Sequence, residues 1–166
     1  MRGQFATESI MNRFRLSFFY LVAAVLGVIS AGISLTVVNL HHGVAPSWIG
    51  YLFDLLIAIT IFVAGRYAKV ESGHPAKVGM LTGAIYGLCS GLWILFAKID
   101  RAQLIRELRA RHAPLTNLSA KLHAANSSVI HLIGLGGAIV LGLVVGLILG
   151  LAGGFTARRR DEQPGV

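Results

Sequence analysis

Four long runs free of Lys, Arg and Glu organise this sequence, and a lipid bilayer is the solvent in which such runs are stable side by side. They cover residues 16–38, 48–65, 78–97 and 129–154, and only the second contains an acidic residue, Asp54. A hydrocarbon core about 30 Å thick is crossed by about 20 apolar helical residues. Backbone groups in lipid must be satisfied internally, which leaves helices or closed barrels. Continuous runs of this length lack the alternation, over about ten residues, that marks barrel strands. The expected fold class is therefore all-α: a polytopic membrane protein with four transmembrane helices in one membrane domain, residues 1–166. The first run, preceded by Arg2, Arg13 and Arg15, is longer than the 7–15 apolar residues, roughly, of a signal peptide and lacks a small-residue cleavage site, so it reads as a retained helix.

Composition agrees. Hydrophobic residues make up 55% of the chain and charged residues 13%, where soluble domains carry about 25% charged. The net charge of +8 would suggest nucleic acid in a soluble protein, but here the bases flank the apolar runs and no nucleic-acid-binding pattern accompanies them. The partner they imply is the lipid bilayer, not nucleic acid. Cys89, the one cysteine, lies inside an apolar run, which excludes an intrachain disulfide and leaves it a small buried hydrophobe. Aromatic residues gather at the ends of the runs, as at headgroup level: Phe18 and Tyr20, Trp48 and Tyr51, Trp93 and Phe96, Phe155.

Lys and Arg mark the cytoplasmic side. The segment before the first run carries Arg2, Arg13 and Arg15, the first loop carries no Lys or Arg, and the second carries Arg66, Lys69 and Lys77. This predicts a multi-pass protein of the cell inner (plasma) membrane with both termini cytoplasmic. Lys98, Arg101, Arg106, Arg109, Arg111 and Lys121 then fall outside, against the rule, unless the third segment is re-entrant. That outer segment, residues 98–128, is amphipathic: Ile99, Ala102, Ile105 and Leu108 recur at helical spacing opposite the arginines, and Pro114 ends the stretch. Leu115, Leu118, Leu122, Ala125 and Val129 form a second stripe able to continue into the fourth helix. The stretch suits either a membrane-hugging loop or a docking surface.

Glycine is the most unusual feature. The third run carries Gly79, Gly83, Gly87 and Gly91, and the fourth Gly142, Gly146, Gly150 and Gly154, with Gly134 and Ala138 extending that row. Ala23, Gly27 and Ala31 form a weaker row in the first run. Helices in lipid gain nothing by hiding apolar surface, so small residues at every fourth position, which let backbones approach, decide the contacts. A glycine-zipper packing of the third and fourth helices is expected, within the chain or between copies. The ends of the second and fourth runs (Ala64, Gly65, Arg66, Tyr67, Ala68, Lys69 and Gly153, Gly154, Phe155, Thr156, Ala157, Arg158) are faintly alike, as two parallel-repeated hairpins would be. Residues 64–92, AGRYAKVESGHPAKVGMLTGAIYGLCSGL, with a Gly-Arg helix end, a short basic turn and a glycine-rich following helix, resemble small four-helix bacterial integral membrane proteins of uncharacterised function. The resemblance implies a membrane location and no known activity. The long basic third loop departs from it.

An ionisable residue within a span is costly and points to function, which singles out Asp54. It stands about 9 Å along the helix from Trp48, towards the outer side. Aligning the helices by their outer ends brings Ser34, Ser90 and His131 near the same depth, and a carboxylate with an imidazole could form a proton relay. The alternative is an interfacial carboxylate bonded to its neighbours. The histidines, among them His41, His42, His112 and His123, show no metal-ligand spacing, and no catalytic motif or cofactor fingerprint is present. No metal, cofactor or enzymatic activity is expected. The leading reading is a non-catalytic accessory or structural subunit acting through helix contacts, in a homo-oligomer or with a larger membrane protein. The alternative is a small ion- or proton-coupled transporter or channel using Asp54. A permeation site needs Asp54 turned to a water-reached cavity with polar partners; an accessory subunit needs exposed small-residue stripes and a dry interior.

Overall fold

A computed structural model describes residues 2–41 and 47–157. His42 and the tail arginines Arg158, Arg159 and Arg160 lie outside the described residues. Six α-helices follow in order: α1 Arg2–His41, α2 Ser47–Glu71, α3 Pro75–Gly91, α4 Arg101–Ala110, α5 Leu118–Ala125 and α6 Ser128–Thr156. A 3-10 turn, Leu92–Leu95, tightens the end of α3, and no strand occurs among the described residues. Four stretches are long and apolar enough to cross a membrane: Leu16–Thr36, Trp48–Glu71, Pro75–Leu95 and Ser128–Thr156.

Local chemistry sets the boundaries. α2 runs past residue 65 to Glu71, and its end is closed by Gly73, whose φ of +71° lies in the left-handed region that favours glycine. The amides of Ser72 and Gly73 both donate to the Ala68 carbonyl at 2.9 Å. Pro75 then opens α3, where a missing N–H costs nothing. α4 begins with a reciprocal cap: Gln103 N–H donates to Asp100 Oδ1 at 2.6 Å, and Asp100 N–H to Gln103 Oε1 at 3.1 Å.

The segment 98–128 departs from one amphipathic loop. It folds as two short helices, and Asn126 ties the second to the start of the first by accepting from Ile99 N–H at 2.8 Å and donating to Ile99 O at 2.9 Å. The stripe from Leu115 to Val129 does not run on into the last span, because the chain breaks at Asn126 and restarts under a Ser127 cap. In α4 the buried side chain is Leu104, not a member of the Ile99, Ala102, Ile105, Leu108 stripe.

α2 and α3 form the inner pair of the bundle, each touching α1 and α6, while α1 and α6 hardly touch. α3 and α6 run antiparallel with backbones in contact: Gly79 meets Gly146 and Gly150, Gly83 meets Gly142 and Gly146, and Gly87 meets Ala138. A methyl placed on Gly79 would stand 2.6 Å from the Gly150 Cα, and one on Gly142 2.9 Å from the Gly83 carbonyl carbon. Gly65 brings α2 against the same Gly150, where a methyl on Gly65 would stand 2.7 Å from the Gly150 Cα. On the other side, Gly27 of α1 lies over Cys89 and Ser90. Buried side chains are correspondingly small or few: Ala23, Ile57 and Ile61 make one cluster, and Ala64, Ala68 and Val78 another.

The burial pattern is the reverse of a water-soluble bundle. Ser128–Thr156 contains the most apolar stretch, at mean hydropathy 2.7, yet 6% of the residues in that stretch are buried, whereas in the most apolar stretch of Pro75–Leu95, at 1.6, 33% are. Large apolar side chains such as Phe18, Leu55, Leu132 and Val140 point outward. So extensive an apolar exterior is unfavourable in water and neutral in hydrocarbon.

Candidate functional site

Where the glycine contacts draw α3 and α6 together, the four long helices leave a cavity of about 500 Å³. Its walls are mostly aliphatic, from Ile57 and Ile61 of α2 and Ala138, Leu141 and Val145 of α6. Into it come the polar groups of Ser30 from α1, Asp54 from α2 and Tyr86 and Ser90 from α3, with Trp93 at the rim. The backbone makes room for them. Gly83, Gly87, Gly91 and Gly142 line the cavity without side chains, and Gly27 lets α1 approach within one turn of Ser30.

The groups also interact. Ser30 and Asp54 are polar neighbours of the Tyr86 phenol. Ser90 spends its hydroxyl weakly on the Gly87 carbonyl, at 3.5 Å. Asp54 forms no ion pair with another described residue, and it is exposed in the isolated chain. A carboxylate with no fixed counter-cation, a phenol and two hydroxyls around one space are groups that can bind a proton or a cation.

Of the residues singled out in the sequence, Asp54 and Ser90 meet in this cavity, and Ser34 and His131 do not line it. Ser34 lies one turn beyond Ser30 on α1. His131 lies in the first turns of α6, its amide bonded to the Ser127 carbonyl, about 10 Å along the axis from Ala138. An Asp54–His131 relay is therefore not assembled. Aligning spans by their outer ends places His131 level with Asp54, but α6 continues outward past the cavity, and the Gly65–Gly150 contact sets the register instead. Ser30 and Tyr86 were the residues missed. Their signal was present: a serine one turn from Ser34, and an aromatic ring with a polar tip between Gly83 and Gly87, in a helix otherwise poor in hydrogen-bonding groups.

Among the described residues, no group of three His, Cys, Asp or Glu side chains is placed to hold a metal ion. The chain matches no protein-family model, no curated protein and no solved structure.

Proposed function

We propose that this chain is an integral inner-membrane protein whose four apolar helices span the bilayer as a glycine-zipper bundle, and that it works as a small ion- or proton-coupled transporter or channel with Asp54 as the binding group. Both termini and the Arg66–Lys77 turn lie on the cytoplasmic side in this reading, and the role is non-catalytic. The observation that carries it is the sharing of one cavity by Asp54, Ser30, Tyr86 and Ser90. Their gathering matches the need of a permeation site for polar partners around its carboxylate, and the glycines of α3 are already occupied by α6, which leaves that row no free face for a partner. The test is flux: wild type in proteoliposomes is expected to carry protons or small cations, and Asp54→Asn to lose that flux. Equal flux from both, or none from wild type, would overturn the reading.

A second reading, an accessory or structural subunit in a homo-oligomer or a larger membrane assembly, is favoured by one patch. Gly136 and Gly137 of α6 have open space beside them, next to exposed Ile133 and Val140, and small residues of this kind accept another helix. Counting copies by mass photometry, with Gly137→Leu as the disrupting variant, tests it: an oligomer that this variant dissociates supports it, and a monomer contradicts the homo-oligomer.

A further inference from the structure

At the far end of the bundle from Asp54, about 22 Å along α2, lies a second concavity of about 400 Å³. Lys69 lines it from the last turn of α2, His74 from the cap of α3 and Lys77 from the first turn of α3, and Leu151 and Phe155 of α6 close one side. Among the described residues that line it, its charge is of one sign. Neither lysine forms an ion pair with a described residue, although Glu71 is close in sequence. The rim is held rather than loose, through the left-handed Gly73, the paired amides on the Ala68 carbonyl and the ring of Pro75. Gly154 presses on that ring, where a methyl would meet Pro75 Cγ at 2.6 Å, and so brings the apolar wall up to the bases.

Two features separate this pocket from a site for a free anion. Its wall is greasy: Phe155 is 86% exposed and Leu151 37%, surface that a phosphate ion in water would not use. And the apolar spans ending at Glu71 and Thr156, and the one beginning at Pro75, all meet here, so in a bilayer the pocket stands at headgroup level. We propose that it binds an anionic phospholipid, the phosphodiester among Lys69, His74 and Lys77 and an acyl chain along Leu151 and Phe155. Basic pockets between membrane helices recognise anionic headgroups by this chemistry. The proposal rests on the four helices spanning a bilayer and is independent of what Asp54 does.

The test uses the full chain, purified in neutral detergent and titrated with phosphatidylglycerol or phosphatidylcholine under native mass spectrometry. Wild type is expected to retain phosphatidylglycerol selectively. The double variant Lys69→Gln/Lys77→Gln is expected to weaken it about thirtyfold, the effect of two charges lost at a lipid surface, while Lys69→Arg/Lys77→Arg keeps it. Phe155→Ala, which removes an exposed side chain and leaves the fold intact, is expected to weaken it severalfold. Arg101→Gln/Arg109→Gln, on the exposed face of α4, should leave binding unchanged, and excess inorganic phosphate should not displace the lipid. Equal retention of both lipids, or an unchanged affinity in Lys69→Gln/Lys77→Gln, would overturn the site. So would an equal loss in the α4 variant, which means diffuse charge, or displacement by phosphate, which means a free-anion site. A chain that stayed soluble without detergent would instead remove the membrane reading beneath it.

Discussion

Gly79 and Gly150 pack backbone to backbone: a methyl on Gly79 would stand 2.6 Å from the Gly150 Cα, and a methyl on Gly150 2.8 Å from the Gly79 Cα. Gly65 meets the same Gly150 from α2, so one glycine is the point where three helices converge. Gly150→Ala is expected to destabilise the bundle by about 1–3 kcal/mol, the usual result of forcing volume into a filled contact. Gly136→Ala, beside open space, should be neutral or stabilising by up to about 1 kcal/mol through helix propensity. Unfolding titrations in mixed micelles compare the two; equal effects would mean that the α3–α6 contact is not what holds the helices.

The turn between α2 and α3 depends on the left-handed Gly73. Gly73→Ala is expected to cost about 1 kcal/mol, and Gly73→Asn less, since asparagine tolerates that conformation better. There is open space around Gly73, so the difference between the two variants reads backbone strain alone. Thermal unfolding of the purified variants measures it.

Asn126 joins α5 to the start of α4 through both backbone groups of Ile99, and also donates to the Leu122 carbonyl at 3.1 Å. Asn126→Ala leaves those groups without their partner, at about 1–3 kcal/mol where they are shielded from water. Hydrogen exchange at the Ile99 amide should accelerate in this variant, with little change inside α3 or α6. Uniform acceleration across the spans would show that the α4–α5 pair is a structural part of the bundle.

The four long apolar helices could be read from the sequence because uninterrupted apolar runs of about 20 residues satisfy their backbone groups internally as helices. Their ends were less legible, because the closing signals lie outside the apolar runs: Gly73 and Pro75 for α2 and α3, Ser127 for α6. Within the outer segment, the spacing of Ile99, Ala102, Ile105 and Leu108 marks a helix but not the neighbour that covers it, and Leu104 is the residue buried. At the site, Asp54 stood out by charge and Ser90 by depth. Register was the missing quantity. Counting inward from the ends of the runs puts His131 beside Asp54, whereas glycine contacts slide α6 until Ala138 and Leu141 face the cavity. Tyr86 and Ser30 come together only because Gly27 seats α1 on Cys89 and Ser90, a contact between runs that no pattern within one run displays.

The most direct measurement is proton and monovalent-cation flux through proteoliposomes holding the full chain, in wild type, Asp54→Asn, Asp54→Glu, Tyr86→Phe and His131→Gln. Wild type is expected to exceed empty vesicles, Asp54→Asn to lose the flux, Asp54→Glu to restore part of it, and Tyr86→Phe to reduce it. His131→Gln, outside the cavity, should retain full flux. Wild-type flux from Asp54→Asn, or silence from the wild-type chain itself, would contradict a role for the cavity in transport.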